Sequence, residues 1–148
     1  MDKMKELRVV LFRPWHFKAL RLRPEEGDPD RDMLGEAFYH GGPAYSFADD
    51  KGILFCAGIV LMMKGVGEAW SFCDRAVSGY PREVLFYQKE QLTKEMTRQK
   101  LHRVQAHCLT SWRAAWRFLE HLGFQREGVV RKYDPEGRDY YLYSMIKE

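Results

Sequence analysis

The stretch FLEHLGFQREGVVRKYDPEGRDYYLYSM, Phe118 to Met145, contains the clearest local pattern in the chain. Its first residues continue an apolar helical repeat that consists of Trp112, Ala115, Trp116, Leu119 and Leu122. Gly123 follows this repeat and suits the left-handed residue that commonly ends a helix. Two runs rich in aromatic and β-branched residues then flank the turn sequence Asp-Pro-Glu-Gly at 134–137. The stretch therefore predicts a helix followed by a hairpin, with strands at about 124–133 and 139–146.

Four further strands are predicted before the long helix that begins at Pro81. Residues 7–12 form a short apolar run that ends before Pro14, and residues 44–48 and 53–61 flank the turn sequence Asp-Asp-Lys-Gly. Another strand covers 67–73 after Lys64-Gly65. The run ILFCAGIVL at 53–61 is apolar on both faces, which predicts a strand inside the sheet rather than at its edge.

Helical spacing marks the remaining segments. Short helices are predicted near Trp15 to Leu20 and near Met33 to Phe38, with a loop rich in Pro, Gly and charge at 23–30 between them. A long helix begins at Pro81, and its repeat consists of Val84, Leu85, Gln88, Leu92 and Met96. Residues 102–108 return to strand alternation. The strand, helix and strand at 67–108 require a parallel pair joined by a right-handed crossover.

Composition indicates an ordinary folded chain. The 148 residues suit a single domain spanning 1–148, 45% of them are hydrophobic, and the 14% aromatic share suggests a large core or a lined cleft. A net charge of +3 is too small to indicate nucleic-acid binding. The densest basic run, Lys94 to Arg103, is more typical of a solvated helix end.

The three cysteines, Cys56, Cys73 and Cys108, are far apart and each lies in a predicted strand. They form no Cys-x-x-Cys pair and no Cys/His cluster with zinc spacing, so we expect buried thiols in a reducing compartment and no metal site. The charged start and the short apolar run at 7–12 do not resemble a signal peptide, and no run is long enough to span a membrane. We therefore expect a cytoplasmic protein.

The order of elements resembles the GCN5-related N-acetyltransferase (GNAT) superfamily. The most specific match is AAWRFLEHLGFQREGVVRKY, Ala114 to Tyr133, which is similar to the fourth helix and sixth strand of that family. The segments GEAWSF at 67–72 and RKYDPEGRDYYLY at 131–143 also resemble GNAT proteins carried by bacteriophages and prophages. The resemblance implies an α/β (α+β) fold: a mixed, mostly antiparallel sheet of about seven strands, flanked by helices, with one parallel splayed pair.

The resemblance also implies that acetyl-CoA, as cosubstrate, binds where the parallel strands splay, and that the acetyl group moves to a primary amine. The pyrophosphate would lie at the start of the helix at Pro81. The family's glycine-rich phosphate loop corresponds to DRAVSGYPREV at 74–84, which retains only Gly79 of its glycines. The residues implied for acetyl-CoA binding are Ser71, Phe72, Cys73, Arg75, Ser78, Gly79 and Arg82.

Glu68 is the candidate general base, because an amine must lose a proton before it attacks a thioester. A solvent-facing strand carboxylate is an equally good interpretation of this residue. Ser71 and Phe72 could offer backbone amides to the developing oxyanion. Ser111 could donate to the departing thiolate, although Thr110 to Trp112 is more typical of a helix N-cap.

Several positions lack the residue that the resemblance would bring. The family commonly has an Asn and a Tyr at two positions that are occupied in this sequence by Trp112 and Leu119, respectively. Cys73 and Cys108 are expected to be inert, and His107 is expected to lie at the surface. The tyrosines of the last strand could line an acceptor cleft, with Tyr141 and Tyr143 on one face and Tyr140 on the other.

The resemblance therefore implies an acetyl-CoA-dependent N-acetyltransferase that works by direct attack of an amine. The alternative is a weak or inactive GNAT-fold binding module, such as a phage-associated structural or interaction protein. A nucleic-acid binder finds support only in the basic run at 94–103. The altered loop at 74–84 is the feature that separates enzyme from binding module.

Overall fold

The computed structural model describes residues 3–148, and the first two residues of the charged start lie outside that range. Seven strands form one sheet in the order β1-β2-β3-β4-β5-β7-β6. The strands are β1 (Arg8–Leu11), β2 (Ala44–Asp49), β3 (Gly52–Met63), β4 (Val66–Cys73), β5 (Arg103–Leu109), β6 (Gln125–Val130) and β7 (Tyr140–Ile146).

Every neighbouring pair of strands is antiparallel except β4 and β5, which are parallel. The parallel pairing is short and ends at Glu68 opposite Gln105. Beyond this point β4 continues along β3 as far as Cys73, while β5 continues along β7 as far as Leu109. The sheet is thus split into two halves that diverge from one another.

Helices cover the two faces of the sheet. They are α1 (Pro14–Lys18), α2 (Arg31–Gly41), α3 (Pro81–Arg98) and α4 (Arg113–Leu122), with 3₁₀ helices at Pro24–Glu26 and Arg75–Gly79. α3 and α4 pack on one face, here called the α3 face, and α1 and α2 pack on the other, the α1 face. α4 ends at Gly123, whose φ of 109° is the left-handed conformation that the sequence predicted.

The buried residues follow the strand period of two. On the α3 face Val104 and Ala106 of β5 pack with Tyr143 of β7 and with Leu122 of α4. On the α1 face Phe12, Phe17 and Leu20 pack against β3 and β4. Alternation therefore supplies a core to both faces, since residues i and i+2 of a strand point the same way.

The predicted α/β (α+β) architecture is confirmed, including the mostly antiparallel sheet of seven strands and the parallel pair at β4 and β5. The strand at 53–61 is confirmed inside the sheet as β3. The predicted loops at 23–30 and 74–84 are more ordered than expected, because each contains a 3₁₀ helix.

Within residues 3–148 we find no helix with the length and apolar character that a membrane crossing requires.

Asp74 joins the end of β4 to the segment after α1. Its carboxylate accepts the backbone N–H and the guanidinium of Arg21, at 2.7 and 2.8 Å, and the backbone N–H of Ala76. Burial by itself raises the pKa of the Asp74 carboxyl, but the hydrogen bonds from Arg21 and Ala76 outweigh it and hold the pKa at about 2. The residue is only 5% exposed.

We expect Asp74→Asn to lower the free energy of unfolding by about 1.5–3 kcal/mol at pH 7, since it removes charge-assisted hydrogen bonds. The folded pKa lies below the ordinary value of 3.8, so the contribution is complete above that value and is lost as the pH falls towards 2. Urea titrations at pH 7 and pH 3 should show the difference between variant and wild type narrowing at the lower pH.

Asp32→Asn is the matched control. Asp32 pairs with Lys18 at the surface, where ion pairs contribute about 0–1 kcal/mol. A loss at Asp74 no larger than the loss at Asp32 would contradict the anchoring role.

Candidate functional site

The divergence of β4 and β5 opens a cleft of about 540 Å³ through the sheet. Both faces contribute to its walls. The α3 face supplies Val77, Val84, Trp112, Phe118 and Leu119, and the α1 face supplies Glu25, Glu26, Trp70, Phe72, His107 and Tyr140. Most of the lining is apolar, and a few polar groups converge on it, as is usual for small-molecule sites.

Backbone groups of β4 point into the opening. The N–H of Asp74 donates to Leu54 of β3, whereas the N–H of Cys73 points to the opposite side. Because amide directions alternate along a strand, the N–H of Ser71 faces the opening and that of Phe72 faces β3. Of the two residues predicted to contact the oxyanion, only Ser71 has its N–H group directed into the opening. Phe72 contributes its side chain to the cleft wall.

The segment after α1 closes the upper end of β4. Glu26 accepts the N–H of Cys73 at 3.3 Å and the N–H of Arg23 at 3.2 Å. Burial raises the pKa of the Glu26 carboxyl, and these two amides partly offset that effect. Cys73 was predicted to help bind the cofactor, and its amide is instead engaged by the protein itself.

Glu68 lies at the vertex of the cleft, on the α1 face. Its carboxylate is bonded to the Nδ1 of His107 at 2.6 Å, and it accepts the side-chain amide of Gln105 at 3.0 Å. The Glu68 side chain is 26% exposed and that of His107 is 16% exposed. Glu68 is therefore neither fully solvated nor buried. It holds one nitrogen of His107, whose ring lines the cleft.

His107 is a candidate functional residue that the sequence did not indicate. Its ring stacks on Tyr133 with centroids 4.5 Å apart, and Tyr133 in turn meets Tyr140 at 5.2 Å. The expectation of a surface histidine is wrong, because the ring is enclosed between Glu68 and Tyr133. Alternation placed His107 on the correct face, but only the register of β4 against β5 brings it to Glu68.

Tyr140 lies on the α1 face, and Tyr141 and Tyr143 lie on the α3 face, which confirms the predicted alternation. The hydroxyl of Tyr140 donates to Asp134 at 3.2 Å. Burial raises the pKa of Tyr140, so its hydroxyl keeps a proton at neutral pH. Tyr140 is the member of this set that lines the cleft.

The predicted phosphate segment forms the corner between β4 and α3. Ser78 lines the cleft, and its hydroxyl donates to the carbonyl of Arg75. Arg75 uses its guanidinium to donate twice to the carbonyl of Leu22, so it is engaged by a neighbouring loop. A Cβ placed on Gly79 would meet no atom within 4 Å, so its backbone is open to approach. Arg82 follows Pro81 in the first turn of α3.

Ser111 lies on the exposed turn before α4. The N-cap residue of α4 is Trp112 and no side chain caps the helix, so the predicted N-cap within Thr110 to Trp112 supplies no capping oxygen. Trp112 and Leu119 both line the cleft where the family pattern has polar residues. This wall is therefore apolar.

Burial raises the pKa of all three cysteine thiols to about 12, which agrees with the expectation of inert thiols. Thiols with such values carry their proton at neutral pH and are poor nucleophiles. The cleft chemistry of the described residues thus depends on carboxylates, His107, tyrosine hydroxyls and backbone amides rather than on sulfur.

No protein-family profile matches the chain, and no curated protein matches it by sequence. Solved structures do match it. The ribosomal-protein-S5-alanine acetyltransferase of Vibrio fischeri is 18% identical, with a TM-score of 0.77 over 99% of this chain and 96% of its own. A GNAT-family acetyltransferase of Bacillus anthracis is 15% identical, with a TM-score of 0.75 over 97% and 96%.

A third match is a spermidine N-acetyltransferase variant of Vibrio cholerae, which is 13% identical with a TM-score of 0.72 over 95% of both chains. These identities are low, whereas the structural agreement extends over almost the whole length of each chain. The chain therefore has the fold of the GNAT-family acetyltransferases.

Proposed function

We propose that residues 1–148 act as one acyltransferase domain that moves an acetyl group from acetyl-CoA to a primary amine. One observation carries the proposal: the outward-facing amide of Ser71 and the Glu68–His107 pair lie on the two strands that border the same cleft. The fold agrees with this function, but fold alone does not establish activity.

The cleft suits the thioester end of acetyl-CoA. Strand amides such as that of Ser71 can bond to the carbonyl and amide groups of an extended arm, as an added strand would. The apolar wall of Val77, Val84 and Leu119 would cover its methylene groups. When bound, acetyl-CoA supplies an activated acetyl thioester as the electrophile.

The phosphate end is expected at the corner before α3. Gly79 permits close backbone approach, and the first turn of α3 offers amides together with the helix dipole. Arg75 and Arg82 add positive charge nearby. Pro81 has no amide proton, so this corner offers fewer donors than the glycine-rich loop of the family.

The Glu68–His107 pair is suited to removing the amine proton. With Nδ1 protonated and bonded to Glu68, the Nε2 atom of His107 is the proton acceptor, and the carboxylate stabilises the cation that results. This arrangement refines the sequence-based assignment of Glu68 as the direct base. Glu68 becomes the residue that orients His107.

Two hydroxyls are candidates for the general acid. Ser111 was selected from the sequence, but it lies on an exposed turn. Tyr140 is better placed, because it lines the cleft; its hydroxyl donates to Asp134 and would turn from that carboxylate to the thiolate. We therefore propose Tyr140 as the donor to the departing thiolate.

The acceptor side of the cleft favours a cationic amine. Glu25 and Glu26 line it together with Trp70 and Phe72, and carboxylates beside aromatic faces attract ammonium groups. The names of the structural neighbours include acceptors as different as spermidine and a ribosomal protein. Their names therefore do not select an acceptor for this chain.

A binding module without catalysis is the second candidate. The altered corner at 74–84 is the observation that favours it, since a cleft that lost its phosphate contacts would lose most of its affinity for CoA. The phage or prophage origin and the cytoplasmic location remain predictions from sequence.

We expect the protein to bind CoA, and we expect Gly79→Ala to weaken that binding about tenfold or more. The new methyl group would stand where the phosphates approach, and a charge-assisted contact contributes about 1.5–3 kcal/mol. The folded state should be unaffected, because Gly79 has no positive φ and open space surrounds it. Calorimetric titration with CoA measures the effect.

Gly128→Ala is the matched control, because Gly128 also has open space and no positive φ but lies on β6. Its affinity for CoA should stay within twofold of wild type. If wild type gives no heat with millimolar CoA, the binding proposal fails. If both glycine variants bind equally, the phosphates lie elsewhere.

We expect His107→Gln to lower kcat by about two to four powers of ten, the usual contribution of a positioned base, with little change in CoA affinity. Glu68→Gln should lower kcat less, because it leaves the imidazole in place. Initial rates with acetyl-CoA and an amine acceptor found by screening, spermidine included, test both variants.

His121→Gln provides the control, since His121 is exposed at the end of α4 and should keep its full rate. A His107 variant as active as the His121 variant would remove His107 from the mechanism. A larger loss at Glu68 than at His107 would restore Glu68 as the direct base.

A further inference from the structure

The core on the α3 face is divided by a polar seam. One apolar cluster contains Ile59, Met96 and Val104, and a second contains Phe47 and Phe55. Between them the helix α3 presents Gln88, Gln91 and Glu95 to the cleft. Positions i, i+3 and i+7 lie on one side of a helix, so these three side chains form a continuous row.

The sheet beneath this row has one small residue at its centre. Tyr45 pairs with Ala57, and Ala57 pairs with Ser71, so the three form a cross-strand row through β2, β3 and β4. The side-chain amide of Gln88 donates to Ser71 at 3.0 Å, and the hydroxyl of Tyr45 donates to Glu95 at 3.1 Å. The two hydrogen bonds connect the ends of the rows, and Ala57 leaves space between them.

Two acceptors along this seam lack a donor. Within residues 3–148, the Oε1 atoms of Gln91 and Glu95 are buried without a hydrogen-bond partner. Glu95 is only 2% exposed. The guanidinium of Arg98 approaches its Oε1 atom to 3.5 Å from a side chain that is 56% exposed, which balances charge without making a hydrogen bond. Buried acceptors without donors are costly, so the seam suits a ligand that brings a donor.

We propose that this seam is a subsite for the acyl chain of the cosubstrate. The preferred acyl donor is then a CoA thioester whose acyl chain carries a hydroxyl group. The inference rests on the proposed function and deepens it. The seam begins at Ser71, whose amide would hold the thioester carbonyl, and it leads beneath α3 away from the amine side of the cleft. A chain longer than acetyl would enter it, and its hydroxyl would donate to the Oε1 atom of Gln91.

The charge balance in the seam favours a neutral hydrogen-bond donor on the ligand over an ammonium group. Arg98 already lies beside the Glu95 carboxylate, and Tyr45 supplies one hydrogen bond to it. A hydroxyl satisfies one of the two acceptors, the Oε1 atom of Gln91, without adding a buried charge. An alkyl chain of the same length would fill the space but would leave both acceptors unpaired.

The test compares 3-hydroxybutyryl-CoA with butyryl-CoA by calorimetry, with acetyl-CoA and CoA as references. We expect the hydroxyacyl ligand to bind about tenfold tighter than butyryl-CoA, the ratio that one net hydrogen bond provides. Gln91→Met should reduce this ratio, while Gln125→Met, an exposed change on β6, should preserve it. Affinity for CoA itself should stay within twofold in both variants.

Ala57→Val is a second variant, which reduces the space in the seam and leaves its polarity unchanged. It should weaken both four-carbon ligands relative to acetyl-CoA and leave CoA unaffected. Equal binding of the two four-carbon ligands to wild type would overturn the subsite even if CoA binds. A hydroxyl preference that is undiminished in Gln91→Met, or four-carbon ligands that bind Ala57→Val as tightly as wild type, would also overturn it. No binding of any CoA ligand would instead remove the proposed function, and the subsite with it.

Discussion

The end of pairing between β4 and β5 is the constraint on which the rest of the site depends. After Glu68 and Gln105 the two strands stay with different partners, β4 with β3 and β5 with β7. Each strand keeps a full ladder on one side and leaves the other side open. Backbone polar groups thus face the cleft while the strands stay in the sheet. A loop could also present such groups to a ligand, but it would hold them less rigidly.

The protein covers part of this open edge itself. Glu26 takes the amide of Cys73, and Asp74 ties the following turn to Arg21. Both contacts come from the segment between α1 and α2, so that segment determines how far along β4 the cleft extends. The amide of Ser71 remains outward-facing because the contact of Glu26 is made one amide further along the same edge.

The polar row on α3 shows how the same helix serves two purposes. Met96 packs in the apolar core, whereas Gln88 and Glu95 contribute to the cleft wall. A helix that only covered the sheet would place apolar residues at all of these positions. The incomplete core therefore reflects space that the cleft requires, at the cost of buried acceptors.

The sequence by itself determined the order of the elements, the parallel pair and the face on which most side chains lie. These features depend on local periodicity, turn residues and connection length, which act over a few neighbouring positions. Gln88 was counted in an apolar stripe because its spacing is correct, and spacing does not reveal what lies opposite.

Only the tertiary structure decided which residues meet. Glu68 and His107 are 39 positions apart, and their contact depends on the register between two parallel strands joined by a long crossover. The same register and the early end of pairing leave the N–H group of Ser71 facing the cleft, whereas the N–H group of Phe72 faces β3. Register of that kind is set by packing over the whole sheet, since one shift along a strand would exchange its two faces, and no local pattern records it.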